Sequence, residues 1–380
     1  VAPVIKGSGE TRGAHGAHGA HGAHGAHGAA GWHRLRVASV RRVGDDAVSL
    51  TLDVPEPLVE TFTHRPGQHV TIRHMLAGRE LRRSYSVCPP PDDPACLRLV
   101  VKRLGPGGFA EYAANGLTVG DVLEVAGPAG DFHLADAPGG HHVLIAGGSG
   151  ITPLLSMASA ALREDPTCRV SLLYANRTMG SVLLADDVDT LERRYHDRFS
   201  VLHVLSRETG PTAPPAGRID QERLPELLAM VGADRPAAHR YFYLCGPWGL
   251  VETARKALAD WGADEGVVRF ELFSAGDRPE DPPAAPGRFG RITVYFDGEA
   301  TDLTMDPEDE SVLDAVLRAQ PDVPYSCRDG LCGVCRARVV SGEVVLGRQY
   351  ALTEKDLARG YTLPCRARPA TPEIALDFDA

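Results

Sequence analysis

The chain has no run approaching about 18 consecutive apolar residues, so no transmembrane helix is expected. It has no excess of positive charge. Its 40 Lys and Arg stand against 50 Asp and Glu, a formal net charge of −10. That balance argues against a nucleic-acid partner, which needs a basic stripe to displace phosphate counterions. The opening residues VAPVIKGSGETRG lack the apolar core of a secretory signal, and the reading is of a cytoplasmic protein with no membrane partner. A disulfide framework is missing too. Cys88, Cys96, Cys168 and Cys245 are scattered, whereas the other four of the 8 cysteines cluster late. In a long cytosolic chain that placement favours metal ligation over disulfides.

What remains is ordinary globular material, 43% hydrophobic and 24% charged over 380 residues, enough for several domains with cores of normal size. Residues 1–31 read as a disordered Gly-Ala-His tail. His15, His18, His21, His24 and His27 recur every third residue, and Gly and Ala supply no core. In a polyproline-II conformation these imidazoles would share a face at ~9 Å spacing, too far apart for one ion to bind them unless the chain bends. From 32 to 136, RLRVASVRRV, AVSLTLDV, QHVTIRHML, CLRLVVKRL and DVLEVAG alternate or run apolar between Gly, Pro and Asp turns, which suggests a β-barrel. From 137 to 274 strands and helices alternate, beginning with HHVLIAG and TPLLSMASAALRE, the pattern of a parallel α/β sheet. Residues 275–289 are rich in Pro and charge and read as a linker. A third domain, 290–380, is expected to be α+β. It opens on the strand RITVYFDG and carries an amphipathic helix with Val312, Leu313, Val316 and Leu317 inward. Its last 90 residues hold 10 Lys and Arg against 16 Asp and Glu, so most of the chain's net negative charge lies there.

The sharpest motif is PYSCRDGLCGVCRA followed by LPC. Cys327, Cys332, Cys335 and Cys365 are spaced C-x4-C-x2-C-x29-C, the plant-type [2Fe–2S] arrangement. Two irons need four thiolates. Gly330 and Gly333 let the loop wrap tightly and turn backbone N–H groups toward the sulfurs. A C-x2-C pair alone would also suit zinc or a redox dithiol, but zinc sites usually pair two short spacings.

Three further motifs suit nucleotides. In LRRSYSV, Arg83 can pair with a pyrophosphate, Tyr85 can lie against a flavin ring and Ser86 can hydrogen-bond its N5 edge. By themselves these are ordinary strand residues; a barrel followed by a nucleotide domain gives them weight. In AGGSGITP, Gly147, Gly148 and Gly150 admit a pyrophosphate at a helix start, with Thr152 as cap and Pro153 at the first helical position. This is not the GxGxxG fingerprint, and a tight strand–helix turn would look the same. In LCGPWG, Cys245, Gly246 and Pro247 end another strand of the same sheet, where a small buried Cys is an equally good reading.

The order RSYS, GGSGITP, YLCGP and C-x4-C-x2-C resembles the ferredoxin–NADP reductase superfamily with a C-terminal plant-type ferredoxin domain, over residues 32 to 380. ELRRSYSV, YANR, HVLSRE and RQYALTEKDLARGYTLPCRARP look most like the reductases of phenylacetyl-CoA epoxidases. The reductases of 3-ketosteroid 9α-hydroxylases share the domain order. The resemblance implies an FAD barrel, an NAD(P) domain and a β-grasp-like ferredoxin domain. It implies electrons passing from NADPH through FAD and the cluster to an oxygenase. It places Arg83, Ser84, Tyr85, Ser86, Val101 and Lys102 at the flavin, and Gly147 to Pro153 with Cys245 to Pro247 at the nicotinamide nucleotide. Ser86, Cys245 and Phe273 fall nearest the reacting centre. Relatives carry Ser or Thr in the flavin-phosphate turn where GPGGFAEYA has Ala110. Gly108, Phe109 and Ala110 still offer backbone amides, but one hydroxyl contact is lost. Arg177, Ser206 and Arg207 stand at strand ends where a ribose 2′-phosphate would sit, which favours NADPH.

Two classes of function stay open on this reading: a reductase enzyme serving an oxygenase, and a non-enzymatic redox sensor or electron carrier. Three cofactor motifs in series favour the enzyme. Arg328, Arg336, Arg338, Arg366 and Arg368 flank the ligand cysteines, so an acidic patch is expected on the electron acceptor, unless these arginines pair with the domain's own acids such as Asp322 and Glu343.

Overall fold

The computed structural model describes residues 3–7, 31–76, 78–88, 95–103, 105, 107–135, 138–208, 215–234, 239–274 and 290–380. The His repeat and the 275–289 linker lie outside these residues. The chain divides into two compact units, Trp32–Arg278 and a second made of Val1–Gly31 with Pro279–Ala380. No helix among the described residues is long and apolar enough to cross a membrane.

A short strand, β1 (Val4–Lys6), comes first and belongs to the second unit. The expectation of a featureless segment from residue 1 to 31 is corrected here, because Val4–Lys6 pairs in a sheet and Ile5 is buried.

The larger unit opens with β2 (Trp32–Val43), β3 (Ala47–Asp53), β4 (His69–Leu76), β5 (Arg79–Ser86) and β6 (Cys96–Lys102). Helix α1 (Gly108–Asn115) and β7 (Val122–Ala129) follow. The strands form one antiparallel sheet in the order β5-β4-β7-β2-β3-β6. Just past β5, Val87 bridges Leu99 of β6, and Cys88 N donates to Arg98 O at 2.8 Å, which joins the two outer strands. Closure removes the open edges. Alternation puts Leu35, Val37, Leu50, Leu52, Ile72, Leu99 and Val125 inside, each at most 1% exposed. Phe109 and Ala113 of α1 pack into the same core.

The α/β layer holds β8 (His141–Gly147), α2 (Ile151–Glu164), β9 (Arg169–Asn176), α3 (Ala185–Arg194) and β10 (Phe199–Leu205). It continues with α4 (Leu224–Met230), β11 (Arg240–Pro247), α5 (Trp248–Trp261) and β12 (Val268–Ser274). All five strands are parallel, in the order β10-β9-β8-β11-β12. The order reverses between β8 and β11, so the crevice at their carboxyl ends is the topological switch point, where such sheets bind ligands. Arg98 of the barrel grips Asp187 of α3 through two hydrogen bonds of 2.6 and 2.9 Å, a bidentate pair that ties barrel to sheet.

The second unit contains β13 (Arg291–Phe296), β14 (Glu299–Thr304), α6 (Val312–Ala319), β15 (Ala337–Ser341) and β16 (Glu343–Leu346). Then come α7 (Glu354–Ala358), β17 (Tyr361–Thr362), β18 (Ala367–Pro369) and β19 (Glu373–Asp377). A five-stranded sheet runs β14-β13-β19-β15-β17, and a smaller one runs β1-β16-β18. Asp297 and Gly298, both with positive φ, make the two-residue turn between β13 and β14. Helix α6 buries Val312, Leu313, Ala315 and Val316; Ala315 takes the inward place expected for Leu317, which is only half-buried.

At the amino end of the parallel sheet, His141 Nδ1 accepts a hydrogen bond from Arg240 Nε at 3.2 Å. His141 Nε2 therefore carries the proton and donates to Ser171 Oγ at 2.9 Å, while Ser171 donates onward to Val231 O. Burial, followed by the positive charges of Arg240 and Arg169, pushes the His141 pKa down to about 4. The unfolded chain thus binds a proton near its ordinary 6.5 where the folded chain does not. The stabilisation is present above that value and is lost as pH falls toward 4, with a slope of at most about 1.4 kcal/mol per pH unit. Thermal unfolding of the full chain and of His141→Gln from pH 7.5 to 4.5 checks this. The loss of Tm toward acid should be shallower in the variant; parallel curves would contradict it.

Candidate functional site

The carboxyl ends of β8 and β11 meet almost without side chains. A Cβ at Gly150 would overlap the Cys245 carbonyl, and one at Gly147 would press on Leu250 and Pro247. Close backbone approach thus requires glycine at Gly150, and side chains crowd Gly147, both in the turn that the sequence marked for a nucleotide. The turn itself differs from expectation. Gly148–Gly150 form a 3₁₀ turn that runs straight into α2, so the helix starts at Ile151. Pro153 is its third residue rather than its first, tolerated because N–H groups of the first turn have no partner within the helix. Thr152 does not cap the helix; its hydroxyl donates to Ser149 O at 3.0 Å. The backbone groups facing the crevice are unaffected.

Ser86 closes β5 and pairs in register with His69 at the start of β4. Its hydroxyl is buried without a hydrogen-bond partner. His69 Nδ1 stands 3.8 Å from Glu271 Oε1, and His69 Nε2 and Glu271 Oε2 are likewise buried and unpaired. Glu271 lies opposite Cys245 in the β11–β12 register. Burial, and then the Glu271 charge, raises the Cys245 thiol well above its ordinary pKa, so it stays neutral. The barrel end and the sheet end thus share a line of four residues, Ser86, His69, Glu271 and Cys245. Three of its polar atoms have no protein partner, and buried polar groups are normally satisfied. A bound polar ring system at this place would supply what is missing.

Ser86 and Cys245 were expected from the sequence; His69 and Glu271 were not. The one available signal was an acid in the apolar strand VVRFELF. Phe273 lies by the irregularity in the β11–β12 register and packs partly against the core beneath the sheet.

Arg83 and Tyr85, two residues apart on β5, share a strand face. Tyr85 is half-buried with its ring 5.8 Å from that of Phe109, and Arg83 is exposed. Ser84 Oγ is 3.0 Å from Thr71 Oγ1, so it serves the strand pair. Val101 is a barrel core residue, and its neighbour Lys102 reaches toward Gly148 while pairing with Asp46 at 3.6 Å. Gly107 and Gly108 have positive φ and open space where a Cβ would be, as a phosphate turn requires. Ala110 is half-buried there. Glu111, however, accepts a hydrogen bond from Gly107 N, so a phosphate must displace that carboxylate. Arg177 and Arg207 are exposed at neighbouring strand ends, with Ser206 N bonded to Asn176 O and Arg207 N to Arg177 O, each at 2.9 Å. Among the described residues, neither guanidinium has an ion-pair partner.

In the second unit the four late cysteines form two hydrogen-bonded pairs, Cys327 with Cys332 and Cys335 with Cys365. No three metal-binding side chains share one centre among the described residues. Two pairs are what two irons require, since each takes two thiolates. The loop turns through positive φ at Arg328, Gly330 and Gly333. It aims the N–H groups of Asp329, Leu331 and Cys332 at Cys327 Sγ. The bond from the Cys332 thiol, aided by these amides against burial, pulls the Cys327 pKa down to about 6. For the flanking arginines the structure favours the alternative of internal pairing. Arg328 pairs with Asp314 at 2.9 Å, Arg336 lies over the Tyr361 ring, and Arg366 donates to Arg348 O.

Family models match along the chain in the same order: an oxidoreductase FAD-binding domain over 34–134, an oxidoreductase NAD-binding domain over 144–256 and a 2Fe-2S iron-sulfur cluster binding domain over 294–370. The chain is 35% identical over 352 residues to one of the subunits of the 1,2-phenylacetyl-CoA epoxidase of Escherichia coli, covering 92% of this chain and 98% of that one. It is 32% identical to the ferredoxin reductase component of 3-ketosteroid-9-alpha-monooxygenase of Rhodococcus rhodochrous, covering 90% and 96%. Phthalate dioxygenase reductase has the same fold, with a TM-score of 0.58 at 24% identity over 91% of this chain and 98% of that one. An intact type IV self-sufficient cytochrome P450 monooxygenase gives a TM-score of 0.67 at 25% identity; the match covers 91% of this chain and 41% of that larger one. The closed barrel, the parallel sheet with its glycine switch point and the paired cysteines are thus three parts of one known design, and the chain belongs to the family of FAD-, NAD- and 2Fe–2S-binding reductases that supply electrons to oxygenases.

Proposed function

We propose that this reductase takes its electrons from NADPH and delivers them to a phenylacetyl-CoA epoxidase. The observation that carries the enzymatic reading is the line of buried, unpaired polar atoms on Ser86, His69 and Glu271 beside Cys245. A passive carrier has no use for such a site between a barrel and a nucleotide crevice. Arg83, Tyr85 and Ser86 would hold a flavin, which would supply hydride acceptance from the nicotinamide and one-electron release to the cluster. Ser86 Oγ orients the ring edge by the hydrogen bond that no protein group now makes. Cys245, neutral and buried, presents an apolar face that keeps water from the reacting carbon. Glu271 and His69 hold the polar end of the nicotinamide. Arg83 and the amides of Gly108 to Ala110 bind phosphate, and Tyr85 covers the ring. Gly147 to Pro153 and Cys245 to Pro247 cradle the second nucleotide, while Lys102 lies at the flavin and Phe273 near the flavin's other face. Cys327, Cys332, Cys335 and Cys365 hold the cluster.

The preference for NADPH rests on Arg177 and Arg207. A ribose 2′-hydroxyl is usually recognised by an acid at the end of the second strand of such a sheet, and β9 ends at Asn176 with Arg177 following instead. Two guanidinium groups at neighbouring strand ends, with no ion-pair partner among the described residues, suit a dianionic phosphate. The epoxidase assignment rests on the 35% identity over nearly the whole of both chains. The ketosteroid monooxygenase reductase at 32% keeps a Rieske-type partner as the second reading.

Replacing Cys332 by Ser should abolish visible cluster absorbance and cytochrome c reduction while leaving NADPH–ferricyanide turnover near normal; a cluster that survives contradicts the ligand set. Arg207→Ala and Arg177→Ala should each lower kcat/KM for NADPH about tenfold, equivalent to ~1.4 kcal/mol, and leave NADH turnover unchanged. Equal losses with both nucleotides would remove these residues from 2′-phosphate recognition. Reconstitution with purified di-iron epoxidase subunits should support NADPH-driven epoxidation. Turnover with a Rieske oxygenase and none with the epoxidase would decide for the second reading.

A further inference from the structure

The N-terminal strand stands outside all three family models, the first of which begins at residue 34. Yet β1 is built into the domain that carries the ligand cysteines. It runs antiparallel to β16 with Val4 opposite Val345, Ile5 opposite Val344 and Lys6 opposite Glu343. Hydrogen bonds continue past both ends, from Leu346 N to Pro3 O at 3.0 Å and from Gly7 N to Gly342 O at 2.8 Å. Lys6 pairs with Glu343 at 3.1 Å. A Cβ at Gly7 would collide with the Ser341 backbone, so the approach requires glycine. Along the strand, Val4 and Lys6 are exposed and Ile5 points inward, 5% exposed. Ile5 belongs to the same core as Cys335, Cys365, Val344, Leu346 and Leu363.

What β16 carries gives this pairing a consequence. Its other side pairs with β18, which starts two residues after Cys365. Its far end leads into 347–350, the stretch that braces the cysteine loop. Gly347 N donates to Arg366 O at 2.8 Å, Arg366 Nε to Arg348 O at 3.2 Å, and Tyr350 N to Gly330 O at 2.9 Å. Without β1, one side of β16 would be an unpaired edge, and the ribbon behind Cys365 would be two strands, marginal without further support.

We propose that β1 is a positioning strand for the cluster ligands, with Ile5 as its anchor. By fixing β16, it fixes the two places from which Cys365 and the 347–350 brace are held. Residues at the opposite end of the sequence thereby set how long the four thiolates keep their geometry. The inference rests on the ligand assignment above.

The test compares the full chain with a version lacking residues 1–7, with Ile5→Asp and with Ile5→Val. Iron content of the unmodified chain is measured first; a chain without iron overturns the ligand assignment itself. Given a loaded chain, the deletion and Ile5→Asp should lose cluster absorbance under EDTA on the order of tenfold faster, as a locally opened site does. The Leu346 amide should exchange faster with deuterium in both, and the cluster's EPR lines should broaden. Ile5→Val should restore lifetime, exchange and line shape, and ferricyanide turnover should stay constant throughout. Failure of Ile5→Asp to assemble a cluster, while Ile5→Val does, supports the same conclusion. Unchanged lifetime and unchanged Leu346 protection in the deletion would overturn it.

Discussion

The reductase depends on a backbone contact that only glycine permits. At the switch point of the parallel sheet, the turn after β8 lies directly on the carbonyl of Cys245 at the end of β11. Any side chain at Gly150 would force the two strand ends apart. Their closeness brings Cys245 and its neighbour Glu271 to the barrel, where His69 and Ser86 wait with unpaired polar atoms. The Arg98–Asp187 pair fixes the same relation from the other side. The glycine turn and the line of unpaired polar atoms are thus brought together by one close approach.

The cysteine unit solves a different problem by related means. Four thiols must stand in two pairs, and their charge must be met by N–H groups rather than by cations. Positive φ at Arg328, Gly330 and Gly333 turns the amides inward, so the loop backbone carries the electrostatics. The arginines that flank the cysteines are partly engaged elsewhere, with Arg328 on Asp314 and Arg366 on a backbone carbonyl. Their sequence positions promised a positive face; in the folded domain part of that charge holds the domain together.

The sites where chemistry forces a spacing or a residue type were legible in the sequence. The four cysteines could be read because ligation fixes their spacing, whereas the glycine turn and the strand-end Cys-Gly-Pro had plain structural readings beside the nucleotide one. The barrel, the parallel sheet and the third domain followed from periodicity. His69 and Glu271 were hidden because each looks like a strand residue until two separate layers meet. Strand β1 was hidden because three residues, VIK, carry no period, and its partner lies more than three hundred positions away. The helix start at Ile151 was misplaced by two residues because Thr and Pro mark helix starts locally, whereas here a 3₁₀ turn already leads into the helix.

The central claim is that one chain carries a two-electron site and a one-electron site in series. An anaerobic titration of the purified full chain with NADPH, followed by dithionite, tests it most directly. The account requires uptake of about three electrons per chain, with bleaching of both flavin and iron–sulfur absorbance. Uptake of only two electrons, or of one, would contradict it.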